Sequence, residues 1–353
     1  MTRLEARPVY ITATSVFNAA GAECEDLQGP LPVPQSLAFA PDQRAYGVTV
    51  PRLPSTVFDR KIQRGVEPQG ARLLYCAGRI AGALNGLNLA PERIALMAAI
   101  PEVDGPSSCW DAVQAIAEQP DALLAQLFAH TPPLHALMML NSSVMAYVAE
   151  ALHCHGPMGG YCSQGNAGLD ALIEAFEHIA AGRADAAVVI SSSPNISPAL
   201  YLRENTERPI NASPEPYGEG AAALLLTSCL PSHTAQVVRI AGYARGYSAS
   251  PERSSAVAQC VIQRALSGEK VGLSDVRHIV ANPQDPALAR LFCNKVIHSS
   301  RHMTGDLGAS ALLTEVALAS HTQTPGYTLL LNHSRAGHWS ALLLTSVTME
   351  KQA

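Results

Sequence analysis

Eight cysteines and twelve histidines are the side chains in this sequence that could act as nucleophiles, proton carriers or metal ligands. The cysteines stand at 24, 76, 109, 154, 162, 229, 260 and 293, with no C-x-x-C pair among them. Thiols scattered in this way argue against a zinc ribbon or a disulfide framework. In a reducing compartment most are expected to be small buried hydrophobes. His153-Cys154-His155 has the residue types of a metal site. In an extended segment the two imidazoles would point to opposite faces, and no second ligand motif accompanies them. Satisfied or surface histidines, with no metal and no cofactor, are expected.

The elements that must position such groups alternate along the chain. Val9 to Ala13 reads as an opening strand, Ala71 to Leu87 as a helix of small apolar residues, and Arg93 to Ile100 as a strand buried on both faces. Gly168 to Ala181 carries Leu169, Leu172, Ile173, Phe176 and Ile179 on one helical stripe, with Gly182 where a helix would end. Ala186 to Ile190 and Gly220 to Leu226 read as further buried strands. A turn-rich Leu230-Pro231-Ser232-His233 follows, and beyond it the alternation repeats: strand Val237 to Tyr243, helix Ser255 to Leu266, strand His278 to Ala281, helix Ala309 to Ala319, and strands Tyr327 to Asn332 and Ser340 to Ser346. This order implies an α/β chain of βαβ units with a largely parallel sheet. Two similar halves are expected, 1–232 and 233–353, within one compact unit.

Composition narrows the function. The 353 residues carry 24 basic and 29 acidic side chains, a formal charge of −5, and the basic residues form no long run. Binding to a nucleic-acid backbone needs clustered positive charge and is not expected. No apolar run reaches the ~18–20 residues needed to span a bilayer, and the charged start does not read as a secretory signal; a cytoplasmic protein is expected. Only 15% of the residues are charged, below the usual quarter or so. That leaves an unusually apolar surface and hints at a large protein–protein interface.

Several blocks carry a resemblance. Arg208-Pro209-Ile210-Asn211-Ala212, followed by Tyr217-Gly218-Glu219-Gly220-Ala221-Ala222, resembles the "RPFDA…GEGAA" block of β-ketoacyl synthases. Ala241-Gly242-Tyr243-Ala244 is similar to their "GYG" strand, and Met303 to Ala309 to their "TGHSLGA" segment. Gly156-Pro157 with Gly168-Leu169-Asp170-Ala171-Leu172 matches the frame around the nucleophile of type II polyketide ketosynthases and chain-length factors. The blocks come in the family's order and cover nearly the whole chain. The resemblance implies a thiolase fold, with five αβαβα layers, two similar halves and an obligate dimer.

Catalysis in that family is a decarboxylative Claisen condensation. It needs a cysteine thiolate, two histidines that drive malonyl decarboxylation, and an oxyanion hole. Carried onto this sequence, the nucleophile position is Gly165, which has no side chain to acylate. The first histidine position is Asn282, whose amide cannot pass a proton near neutral pH. The second is Asp306, whose carboxylate would repel a malonyl group. The supporting lysine becomes Arg301, and the phenylalanine that gates the extender unit becomes Ala336. Glu219, though a carboxylate, is expected to be structural, as in the family.

The resemblance therefore implies a non-catalytic, chain-length-factor-like subunit. It would pair with an active ketosynthase as a heterodimer, or a dimer of heterodimers, serve an acyl carrier protein, and line part of an acyl tunnel in aryl polyene, type II polyketide or fatty-acid-like synthesis. His135, Met138, Met139 and Gln164 are the residues expected at the partner interface or tunnel. Two other readings stay open. One is a thioester-active enzyme (malonyl decarboxylase or acyltransferase) using Gln164, or Cys162 on an expected buried segment. The other is a homodimeric scaffold that binds an acyl carrier protein.

Overall fold

The computed structural model describes residues 6–101, 110–131, 133, 141–201, 215–230, 236–322, 325–334 and 336–348. The strands are β1 Tyr10–Asn18, β2 Gln35–Leu37, β3 Ala40–Tyr46, β4 Ile94–Ala99, β5 Met158–Tyr161, β6 Ala186–Ser192, β7 Tyr217–Gly218, β8 Gly220–Thr227, β9 Gln236–Tyr247, β10 Val276–Val280, β11 Ile297–His298, β12 Tyr327–His333 and β13 His338–Thr348. The helices are α1 Pro68–Asn85, α2 Trp110–Glu118, α3 Leu123–His130, α4 Asn141–Ala151, α5 Ala167–Ala180, α6 Pro251–Ser267, α7 Pro286–Leu291, α8 Arg301–Thr304 and α9 Ala311–Thr322.

Ten strands form one sheet in the order β11-β10-β12-β13-β9-β1-β8-β6-β4-β5. The two sides of the β9–β1 seam are built alike. Counted in chain order within each side, the strands run third, second, fourth, fifth, first from the outer edge inward. The seam itself is short, with Tyr10 opposite Arg239 and Ile11 opposite Val238. The sheet is parallel toward its two edges and antiparallel through the middle. The expectation of a largely parallel sheet is corrected accordingly. The last two strands are joined by a tight hairpin, which returns the chain antiparallel instead of carrying it across in a helical crossover. The boundary expected at 232/233 falls among the undescribed residues 231–235.

Alternating side chains divide the interior into layers. From β8, Leu224 and Leu226 face a middle layer made by α5 and α9, where Leu169, Leu172 and Ile173 meet Leu312, Leu313 and Val316. Ala221, Ala223 and Leu225 face the other way, onto α1 and α4. On the far side, Leu329, Leu331 and Leu343 pack beneath α6 and α7 with Phe292 and Trp339. The two sides of the β9–β1 seam thus act as two sheet layers, and the order is helix, sheet, helix, sheet, helix. α5 ends as the stripe foretold, with Gly182 just beyond it in the left-handed region at φ 72°.

One ion cluster ties the start of the chain to the strands. Arg93 grips Asp185 with Nε at 2.9 Å and Nη2 at 2.8 Å, and Arg7 Nη1 donates to the same carboxylate at 2.8 Å. The Arg93 hydrogen bonds, helped by Arg7, hold the Asp185 pKa down at about 2. A carboxyl depressed in the folded state stabilises it above the unfolded pKa of ~3.9 and loses that contribution as pH falls toward the folded value. Asp185→Asn is expected to cost about 1 kcal/mol at neutral pH once solvent screening is allowed for. Urea midpoints of the two proteins should converge near pH 2, and an equal gap at both pH values would contradict this assignment.

Candidate functional site

The middle helix α5 begins directly after a short 3-10 turn, Gln164–Asn166. Gly165 lies in this turn, and its carbonyl accepts a 2.8 Å hydrogen bond from Asn332 Nδ2, at the end of β12. The same amide donates to Asn166 Oδ1 at 2.6 Å, and Ser340 Oγ of β13 donates there at 2.8 Å. Asn166, Asn332 and Ser340 are all buried. This network joins the two halves across the middle layer, and it closes around a position with no side chain. Nothing in the backbone demands glycine there. Gly165 is absent from the left-handed residues, and a Cβ would meet only Asn332 Nδ2, at 3.6 Å.

Asn282 and Arg301 share a small cavity with Asn332, Thr304 and Glu315. It measures about 20 Å³, room for a single water and no more. Asn282 Oδ1 accepts the Gln284 N–H at 2.9 Å, the side-chain-to-backbone turn that asparagine favours. Arg301 Nη1 is 2.7 Å from Glu215 Oε2 and 3.5 Å from Asp306 Oδ1. Asp306 also accepts the Gly308 N–H at 3.0 Å, while its backbone bridges to Tyr217. Glu315 Oε1 accepts from the Ser300 N–H at 2.7 Å and the Ser300 hydroxyl at 2.9 Å.

One guanidinium therefore faces three carboxylates. Burial alone would weaken its hold on its proton, but Asp306, Glu215 and Glu315 outweigh that and push the Arg301 pKa up. Burial raises Glu215, with Asp306 adding to the effect, and Arg301 only partly offsets this. Burial likewise raises Glu315 against the pull of Ser300 and Arg301. Among the described residues the cluster sets one cation, already engaged, against three carboxyl groups. It is poorly suited to receive a malonyl carboxylate. Beside it lies a wider cleft of about 390 Å³, which Asn282 and Arg301 also line, with Tyr46, Glu215, His298 and His302.

The structure thus puts Asn282 and Arg301 on one cavity with Asn332, which holds Gly165 by a hydrogen bond, and sets Asp306 3.5 Å from Arg301. Ala336 lies apart and exposed. It sits in the β12–β13 hairpin, pinned by Gly337 N–H to Ser334 O and Ser248 N–H to Gly337 O, both 2.9 Å. Gly337 is required there: its φ is 88°, and a Cβ would fall 2.1 Å from the Ser248 carbonyl. His135, Met138 and Met139, the block Arg208–Ala212 and the side chain of Gln164 lie outside the described residues. Glu219 accepts from the Val48 N–H at 3.1 Å and the Ile196 N–H at 3.0 Å, and pairs with fully buried Arg72 at 3.3 Å. It is spent on structure.

Two thiol and histidine expectations are corrected. Cys162 is exposed, because it follows the edge strand β5, and Cys229, Cys260 and Cys293 are exposed too; among the described cysteines only Cys24, Cys76 and Cys154 are buried. His153 adopts φ 52°, so the segment turns instead of extending. Both imidazoles are thereby brought edge to face, 6.4 Å apart, while Cys154 is buried between them in sequence. Among the described residues no group of three or more metal-ligating side chains forms, and no helix is long and apolar enough to cross a membrane. Glu215, Glu315 and the Asn166–Asn332–Ser340 network were not singled out from the sequence. Asn332 alone had a signal, as the first residue of Asn332-His333-Ser334-Arg335-Ala336-Gly337-His338, the segment that carries the gate position Ala336.

No protein-family model and no curated protein matches the sequence. Solved structures do match. One is a type II polyketide acyl carrier protein in complex with its ketosynthase bound to the hexaketide, at 13% identity, over 97% of this chain and 100% of that one, with TM-score 0.74. This chain has the thiolase fold of the ketosynthases. A second match is the ishigamide ketosynthase/chain length factor, at 17% identity, over 96% and 99% of the two chains, with TM-score 0.72. A third is a ketosynthase in complex with its chain length factor from Xenorhabdus doucetiae, at 15% identity, over 97% and 98%, with TM-score 0.72. The likeness extends over nearly the whole of this chain.

Proposed function

We propose that this chain is a non-catalytic, chain-length-factor-like subunit that pairs with an active β-ketoacyl-ACP synthase. The partner supplies cysteine and two histidines. This chain contributes one side of the shared interface and part of the wall that limits the acyl chain. One observation carries the reading. Where the resemblance places a nucleophile there is a glycine, Gly165, held by Asn332 across from Asn282 and Arg301, and none of these groups can carry an acyl chain or pass a proton as imidazole does.

Other features support it. Among the described residues β5 pairs only with β4, so one sheet edge is open, and its Met158 is half-exposed. An uncovered edge invites another strand. Two of the matched structures are, by their own descriptions, a ketosynthase with a chain length factor, and a third holds an acyl carrier protein. An acyl carrier protein is accordingly the second partner. In this reading His135, Met138, Met139 and Gln164 belong to the interface or tunnel, residue 232 divides the halves, the protein works in the cytoplasm without a cofactor, and the product is a polyene or polyketide.

Co-expression with ketosynthases that retain the cysteine and both histidines should yield a stable 1:1 complex. The isolated chain, given malonyl-loaded carrier protein, should show no acyl adduct by intact mass and no released CO₂. Turnover by the isolated chain that Cys162→Ala abolished would favour a thioester enzyme instead. A soluble homodimer indifferent to every ketosynthase would favour a scaffold.

A further inference from the structure

Between β4 and β5, the two outermost strands at the open edge, the chain makes a helical excursion. α2 and α3 pack on each other, and Gln126 Nε2 donates to Gln119 Oε1 at 2.7 Å. α3, Leu-Leu-Ala-Gln-Leu-Phe-Ala-His, has no buried residue at all. Leu124 is 64% exposed and Phe128 79%, with Leu123, Leu127 and Val113 of α2 exposed beside them. An eight-residue helix is well below the ~12–15 residues at which isolated helices become even marginal in water. A contiguous apolar face on such an element marks a contact that the free chain does not make.

The charge on this arm is one-sided. Residues 110–131 contain Asp111, Glu118 and Asp121 and no lysine or arginine, and all three carboxylates are exposed. Packed arm against arm, a second copy of the chain would bring like charge against like. A partner with an apolar groove rimmed by cations would match both the stripe and its border.

We propose that the α2–α3 arm docks by Leu124 and Phe128 into an apolar, lysine- or arginine-rimmed groove on the catalytic ketosynthase subunit, and that its carboxylates select that partner over a second copy of this chain. The proposal rests on the heterodimer reading above and names the part of this chain that makes the choice. The arm leaves the sheet from the strand beside the open edge and returns through α4 into the edge strand itself. One partner can therefore cover both. Large apolar side chains at the centre of such a contact carry most of the affinity, and rim charges set its salt dependence.

The test is affinity between the full chain and a co-purified ketosynthase of the cysteine–histidine–histidine type. Leu124→Asp with Phe128→Asp should weaken the complex at least 100-fold. It should leave the thermal midpoint and circular dichroism of the free chain unchanged, because neither residue touches the core. Asp111→Lys, Glu118→Lys and Asp121→Lys together should weaken it about tenfold, and rising salt should narrow the gap to wild type. Amide exchange in 110–131 should slow in the complex. A wild-type complex left intact by the apolar double variant overturns the arm's role while sparing the heterodimer. A wild-type chain that pairs with no ketosynthase overturns both. A homodimer broken by Phe128→Asp assigns the arm to self-association and overturns its selectivity.

Discussion

Arg301→Ala is expected to lower the stability of the free chain at pH 7 by about 3 kcal/mol, the low end for removing one partner from a buried ion pair. The Arg301 side chain is 18% exposed and is the cation facing Glu215, Asp306 and Glu315. Without it, three largely dehydrated carboxylates repel one another. Arg301→Lys keeps a charge but lacks the planar fork, and should cost about half as much. The pH dependence fixes the cause. Glu215 and Glu315 are raised already, and losing Arg301 must raise them further. A raised carboxyl favours the folded state below the unfolded pKa of ~4.3, and that contribution is lost as pH climbs through the folded value. The deficit should be full at pH 7 and should shrink near pH 4. Urea unfolding at the two pH values measures it, and a variant as stable as wild type at pH 7 would remove the cluster from the account.

The same cluster shows which features could be read from the chain alone. Local periodicity announced β4, α5 and the run of elements after residue 236, because each buries a continuous apolar face that leaves a pattern in the sequence. Gly165, Asn282, Arg301 and Asp306 could be named from the blocks around them, and the fold links them through Asn332 and Arg301. Glu215 could not. It stands 86 residues from Arg301, beside the short parallel pairing of β3 with β7, and only the closed fold brings it there. The exposed arm was equally silent, since Leu-Leu-Ala-Gln-Leu-Phe has the composition of a core helix. Apolar content says that a face must be covered and leaves open whether this chain or another covers it. The sheet's antiparallel centre was missed because direction depends on how the chain returns, and βαβ alternation describes only its outer strands. Cys162 was misjudged for a local reason, since it follows an edge strand and is exposed, and at His153 a left-handed turn replaces the extended segment while the imidazole stays at the surface as expected.

Gly165→Cys is expected to give a folded protein that accepts an acyl group and still makes no carbon–carbon bond. The new Cβ meets Asn332 Nδ2 at an ordinary 3.6 Å, and the backbone is not left-handed, so stability should stay within about 1 kcal/mol of wild type. The thiol would stand at the N-terminal turn of the 14-residue α5, where the helix field favours thiolate. Transfer from an acyl-loaded carrier protein should therefore appear as added mass on the variant and on no wild-type residue. Condensation then needs proton-passing groups, each worth ~10²–10⁴ in rate. Asn282 offers an amide whose oxygen is held by Gln284, and Asp306 a carboxylate held by Arg301 and Gly308. Neither drives loss of CO₂. Adding Asn282→His and Asp306→His to Gly165→Cys restores the residue types, but it frees Arg301 from one carboxylate and leaves Glu215 and Glu315 beside the new imidazoles. Mass spectrometry of carrier-bound products should then still find acyl-enzyme and no extended chain. Extended chain from Gly165→Cys alone would mean that the amide and carboxylate suffice.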